Sequence, residues 1–281
     1  MEKINNLKKI SNEIRKKIIQ YSHFSKIPHL ASCLSCVDIL VSLYFSIAKI
    51  NPKRPKLKSR DKIILSKGHA APALFQILAY AGYFNEKIMY RPNHGGGLFG
   101  EHPPKPGLLA GIEAATGSLG HGLPMAVGFS LASKIKNLEN HNYVIIGDGE
   151  CNEGSIWEAL MFSRSYNLNN LTIIVDSNGW QATGRTKEIL NKTELSRKFL
   201  SIWLDTFSID GHNFHELNKV LKIKSKYTKA IIAKTVKGKG VSFMEDDNNW
   251  HYRIPNEIEV KQSLDEIDNL WEMHLLKKLQ S

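Results

Sequence analysis

Two short motifs in this chain place oxygen ligands and glycines where a divalent cation and a phosphate could be held. Gly147-Asp148-Gly149 follows the apolar run Tyr143-Val144-Ile145-Ile146, and Asn178 follows Leu171-Thr172-Ile173-Ile174-Val175 after two polar residues. Each run reads as a buried strand. Asp148 and Asn178 are 30 residues apart, at the two ends of one strand–helix–strand unit. Neighbouring parallel strands run about 4.8 Å apart, so both side chains can reach one ion. Both offer oxygen, which suits Mg²⁺ held by one or two protein ligands plus phosphate and water. A helix predicted over 150–166 aims its free N–H groups at the same anion. Gly147 and Gly149 allow close backbone approach. An Asp-Gly turn alone is also common structural chemistry; the specificity lies in its pairing with Asn178. A dinucleotide fingerprint fits less well, because Asn152 stands where a third glycine belongs. No GxxxxGK[ST] phosphate loop occurs.

The elements that must position these residues alternate along the chain. Ile4, Leu7, Ile10, Ile14 and Ile18 recur at helical spacing and predict a helix over 1–22. A second helix is expected over 35–49 and a third over 72–81, with Pro72 in its first turn. Between them Lys62-Ile63-Ile64-Leu65 reads as a strand ending at Ser66-Lys67-Gly68-His69. Residues 91–111 hold six of the 20 glycines and four of the ten prolines, a loop composition. A loop that long inside a compact domain is usually functional, and His94, His102 and His121 lie in or near it. His94 and His121 are read as structural. A further helix–strand unit is expected over 215–234, and a helical tail over 255–281. Strands alternating with helices imply an α/β fold with a mainly parallel sheet flanked by helices, here a single domain over 1–281.

Composition narrows the function classes. Lys and Arg number 38 against 27 Asp and Glu, a net charge of +11. The lysines are scattered and do not interleave with aromatics, so a solvated basic surface is favoured over a nucleic-acid interface. Cys33, Cys36 and Cys151 form no disulfide framework, and Cys33-x-x-Cys36 lacks a second ligand pair for zinc; buried thiols are expected. No apolar run reaches membrane-spanning length, and the charged first 17 residues do not read as a signal peptide. A cytoplasmic protein without membrane or nucleic-acid partners is expected.

Several motifs in order resemble the thiamine diphosphate-binding half of transketolase over about residues 10–253. His29 resembles the early catalytic histidine, Ser66-Lys67-Gly68-His69 the second histidine motif, and Glu101-His102-Pro103 the third. Thr116-Gly117-Ser118-Leu119-Gly120 is similar to the loop against the cofactor rings. Gly147 to Gly154 is similar to the diphosphate turn and its following glutamate. Asn178-Gly179-Trp180 resembles the second metal position, and Lys237-Gly238-Lys239-Gly240 with Trp250-His251 the last histidine segment.

The resemblance implies a thiamine diphosphate-binding, diphosphate-domain fold that binds thiamine diphosphate through Mg²⁺. Asp148, Asn178 and the Trp180 carbonyl would hold the metal. His69, Gly117, Ser118, Leu119, Gly149, Glu150, Asn178 and His251 would contact the cofactor. Glu153 would join an acidic network at the subunit interface. His29, His102 and His251 would bind and exchange protons with the sugar. Full-length transketolases add a pyrimidine-binding domain, and this chain is expected to end before it. The resemblance therefore implies a two-chain enzyme, with a C-terminal transketolase-like partner in an α₂β₂ assembly and sugar or sugar phosphate substrates. It would move a two-carbon ketol unit from a ketose to an aldose. Around the histidines the pattern departs from the family's: Ile27-Pro28 precede His29, Pro104 follows Pro103, and Tyr252 follows His251. Another thiamine diphosphate-dependent synthase or lyase, for example in unusual-sugar biosynthesis, or a non-catalytic cofactor-binding module, are the alternatives.

Overall fold

The computed structural model describes residues 2–91, 97–190 and 194–279; His94 lies outside the described residues. Five parallel strands form the centre: β1 (Lys62–Leu65), β2 (Asn142–Gly147), β3 (Leu171–Ser177), β4 (Asp205–Asp210) and β5 (Lys229–Lys234). Their order is β1-β2-β3-β5-β4, so the last strand in the chain lies between its two predecessors. The expected parallel α/β architecture is present, and β1 falls on the residues read from the sequence.

Alternation of side chains across the sheet divides the core in two. Tyr143, Ile145, Ile174, Ile231 and Ala233 face one layer, packed on α1 (Glu2–Ser25), α2 (Leu30–Ser35), α3 (Val37–Ser42) and α4 (Ala71–Tyr80). Val144, Ile146, Ile173, Val175 and Ile232 face the other. That layer contains α5 (Gly122–Ile135) and α6 (Gly154–Ser165), through Leu123, Val127, Ile156 and Leu160. A sheet covered on both faces needs near-continuous apolar strands, which is why β2 and β3 stand out in the sequence. Cys33, Cys36 and Cys151 are free and buried.

Three expectations change. The helix read over 35–49 begins earlier, at Leu30, breaks at Cys36, and ends in a π-helical turn, Leu43–Ile47. Strand β4 is absent from the sequence reading, because Asp-Thr-Phe-Ser-Ile-Asp lies at the sheet edge and needs little apolar surface. Helix α5 went unread as well, since Gly122, Pro124 and Gly128 mask its apolar face.

Helix α7 (Thr186–Ile189) and α8 (Leu195–Ser201) lead into β4, and α9 (Phe214–Lys222) connects β4 to β5. Buried Lys229 donates to the Val220, Leu221 and Ile223 carbonyls at the end of α9, satisfying orphan helix acceptors. The expected tail is α10 (Glu257–Leu279), which packs on α1 through Ile267 and a Lys16–Asp268 pair of 2.9 Å. Among the described residues no helix is long and apolar enough to cross a membrane.

Ile174 is fully buried in the central strand, whereas Ile258 is largely exposed on α10. Ile174→Ala should lower the unfolding free energy by about 2–5 kcal/mol, and Ile258→Ala by less than about 0.5 kcal/mol. Urea unfolding monitored by circular dichroism checks both.

Candidate cofactor site

The carboxyl ends of the strands converge on one cavity of about 450 Å³. Open parallel sheets place ligands at this edge. β1 leads to Lys67 and His69, β2 to Asp148 and Gly149, β3 to Asn178 and Trp180, and β5 to Lys237 and then His251. His29, at the start of α2, closes one side, and His102, Gly117 and Leu119 another. Glu150 and Glu153 also line it. Of the expected site residues only Ser118, which is exposed, does not line this cavity.

Asp148 is buried at the diphosphate-type turn. Its Oδ1 accepts the Gly149 N–H at 3.0 Å, and its Oδ2 accepts from Gly179 N–H at 2.8 Å and the Thr186 hydroxyl at 3.1 Å. These bonds fix the carboxylate's direction. Burial, followed by the nearby Asp176 carboxylate, pushes its pKa up to about 6. Among the described residues Asp148 has no ion-pair partner; a buried charge in that state is costly. Asn178 Oδ1 accepts the Trp180 N–H at 3.0 Å, which leaves its second lone pair. Trp180 is held from the other side: its indole donates to Asp246 at 2.8 Å, and the Arg185 guanidinium lies 3.7 Å from its ring centroid. Carboxylate, amide and carbonyl oxygens form the donor set a hard divalent cation prefers. Among the described residues no cluster of three or more His, Cys, Asp or Glu is arranged to hold a metal.

Three imidazoles pack against one another at the mouth. His29 lies 5.3 Å from His69 and 4.8 Å from His251, ring centre to ring centre. His29 has a left-handed backbone, φ 67°, unusual for a residue with a Cβ. Its N–H donates to the His251 carbonyl at 2.8 Å, which ties the two catalytic candidates through the main chain. Burial lowers the pKa of His29, and burial with Lys67 nearby holds His69 well below its usual value. Burial and then Lys237 push His251 down to about 3. All three are therefore neutral at physiological pH, free to donate at one ring nitrogen and accept at the other. His102 is exposed and lies over Gly117, where an added Cβ would come within 2.9 Å of its ring. His121 is also exposed, beside the first turn of α5, and outside the cavity.

The helix expected over 150–166 is not continuous. Glu150–Asn152 is a single 3₁₀ turn, Glu153 is extended, and α6 starts at Gly154. The cause is the inward turn of Glu150. Its carboxylate accepts the Gly147 N–H at 3.1 Å, the Gly120 N–H at 2.9 Å and the Ser66 hydroxyl. One side chain thus ties the ends of β1 and β2 to the loop at Gly120, and α6 begins at Gly154 rather than at Glu150.

Sequence reasoning assigned no role to Lys67, Lys237 or Ser32, all of which line the cavity. Lys237 is buried, its Nζ 2.6 Å from Asn248 Oδ1 and 3.1 Å from His251 Nδ1. Burial and neighbouring Lys67 push its pKa down to about 8. The signal available was a lysine directly following each of two strand-end segments, in Ser66-Lys67 and Val236-Lys237.

The sequence matches the family described as "Transketolase, thiamine diphosphate binding domain" over residues 7–267. The chain belongs to this family. It is a component of a thiamine diphosphate-dependent, transketolase-like transferase. It is 38% identical over 264 residues to one of the apulose-4-phosphate transketolase subunits of Actinobacillus succinogenes, covering 93% of this chain and 95% of that one. It is 39% identical over 238 residues to the "6-deoxy-6-sulfo-D-fructose transketolase subunit SqwG" of a Clostridium species, covering 84% and 86%. The transketolase structure from Campylobacter jejuni superimposes with a TM-score of 0.86 at 27% identity. That match covers 95% of this chain and 43% of the longer Campylobacter chain.

A cation can bind Asp148 only in its ionised form. The folded value of about 6 lies above the usual carboxyl range, so acidification protonates Asp148 before it protonates exposed carboxylates. Were a divalent cation held there, affinity for thiamine diphosphate at fixed Mg²⁺ should be level above pH 7 and fall by up to about tenfold per pH unit below pH 6. Fluorescence titrations from pH 5 to 8 at constant ionic strength check the sign and the midpoint.

Proposed function

We propose that this chain holds thiamine diphosphate through a Mg²⁺ ion on Asp148, Asn178 and the Trp180 carbonyl, as one half of a two-chain transketolase. The observation that carries the metal is the buried Asp148 carboxylate, raised in pKa, beside a second carboxylate and without an ion-pair partner among the described residues. A cation supplied with the cofactor relieves that repulsion. Bound thiamine diphosphate supplies the electron sink for cleaving the bond next to a ketose carbonyl. The chain's own residues bind and orient. Lys237 and His69 face the diphosphate, Gly117 and Gly149 let its backbone approach closely, and Leu119 lies against the rings. Neutral His29 and His251, together with His102, exchange protons with sugar hydroxyls at the mouth, where imidazole chemistry suits the working pH. Glu150 acts by holding the loops, and Glu153 sits toward the partner.

The relatives named as transketolase subunits support a partner chain that completes the site. So does the outer face of α5 and α6, where Met125, Met161, Phe162 and Tyr166 are exposed. Phe162 and Tyr166 stack with ring centres 4.3 Å apart, a preformed aromatic platform. The partner carries the pyrimidine-binding domain, in an α₂β₂ assembly in the cytoplasm. Relatives named for a sugar phosphate and a sulfonated sugar point to a ketose donor with an anionic tail.

Tagging the chain in its own cells and identifying the companion by mass spectrometry tests the assembly. A near-stoichiometric pyrimidine-binding chain is expected; purification alone under mild conditions overturns the two-chain reading. In the assembled enzyme Asp148→Ala should abolish Mg²⁺-dependent cofactor binding. Unchanged affinity in that variant removes the metal assignment.

A further inference from the structure

Behind the cofactor cavity lies a buried ionic network that does not line it. Arg15 on α1 and Asp38 on α3 form a two-pronged pair, Nη1 to Oδ1 at 3.1 Å and Nη2 to Oδ2 at 2.7 Å. Both side chains are 6% exposed. His212, just after β4, places Nδ1 2.7 Å from the same Asp38 Oδ2. Its other ring nitrogen, Nε2, accepts the Val236 N–H at 2.9 Å. A ring nitrogen that accepts an N–H carries no proton, so Nδ1 carries it and donates to Asp38. Arg15 Nε donates to the Lys239 carbonyl at 3.0 Å.

The grip falls on both sides of Lys237: Val236 is held by its N–H and Lys239 by its carbonyl. Two main-chain bonds complete the clamp. Gly238 N–H donates to the Ala31 carbonyl at 2.9 Å, and Asp246 N–H to the Lys237 carbonyl at 2.8 Å. Lys237 then has one direction left, toward Asn248 and His251. The network is costly if stability is its only role, because buried ion pairs rarely repay their desolvation. Burial alone would push the Asp38 carboxyl up; Arg15 and His212 hold it well below the usual carboxylate range.

We infer that Arg15, Asp38 and His212 are positioning residues. They hold the 236–239 segment so that the Lys237 ammonium stays fixed against His251, without themselves touching cofactor or sugar. The inference rests on the proposed cofactor site only for its effect on affinity; the fixation of Lys237 is a property of the protein alone.

Two measurements on the purified complex separate these levels. The first is the acetylation rate of each lysine in the cofactor-free complex, read by mass spectrometry. In His212→Phe, Lys237 should label at least about tenfold faster, while buried Lys229 keeps its slow rate and so reports that the fold is intact. His212→Gln, whose amide can both donate and accept, should restore slow labelling of Lys237. The second is a double-mutant cycle on thiamine diphosphate affinity at fixed Mg²⁺. His212→Phe should weaken binding about 10–100-fold, the range found when residues supporting a site are lost, but less than about threefold in a Lys237→Ala background. Slow labelling of Lys237 in both His212→Phe and Asp38→Asn overturns the inference. So does additive loss in the cycle. If Lys237→Ala leaves affinity unchanged, the cofactor-site reading fails, and labelling still decides the fixation of Lys237.

Discussion

The Lys67–Asp176 pair is the interaction on which the rest of the site depends. The ammonium and carboxylate lie 2.5 Å apart, with side chains 2% and 0% exposed. Asp176 belongs to β3 and also accepts from Ser35 at 2.6 Å and from Thr235, just after β5. Lys67 follows β1 and also donates to the Ser32 carbonyl at 3.0 Å. One ion pair therefore joins α2 to the ends of three strands. Removing either partner strands a charge in the interior, which costs far more than the pair contributes. Its field also reaches the cavity. Asp176 is the charge that, after burial, raises Asp148, and Lys67 adds to the lowering of Lys237, His69 and His251. Burial is the first cause of each of these shifts, and a member of the Lys67–Asp176 pair adds to each of them.

A second constraint is local strain. His29 adopts a left-handed backbone without the freedom of glycine, at a cost of order 1 kcal/mol. The bond from its N–H to the His251 carbonyl and the packing of three imidazoles hold it there. The main-chain link makes the first and last histidine segments one unit, although 222 positions separate them in the sequence.

Much of this site was legible in the residues. Asp148, Asn178, His29, His69, His102 and His251 are chemistry-bearing types at strand ends or in loops, and they do meet in one cavity. Buried central strands announced themselves by apolar runs. What escaped reading depends on tertiary context. β4 is polar because an edge strand need not be apolar. The 3₁₀ turn at Glu150 accompanies side-chain bonds to Ser66 and to the loop at Gly120. Lys67 and Asp176 are 109 residues apart, and nothing local in the sequence marks two such side chains as partners.

The strand order has a consequence for how the chain is made. β5 is the last strand synthesised, yet it lies between β3 and β4. Until it emerges, the apolar inner edge of β3 has no hydrogen-bonding neighbour, and the nascent chain presents it to any passing strand. The pocket shares this timing, since Lys237 and His251 arrive only after β5. Loop-closure entropy across such long separations favours slow folding. A ribosome-tethered fragment ending near residue 225 would thus be sticky and cofactor-blind, and a few dozen more residues would cure both faults together.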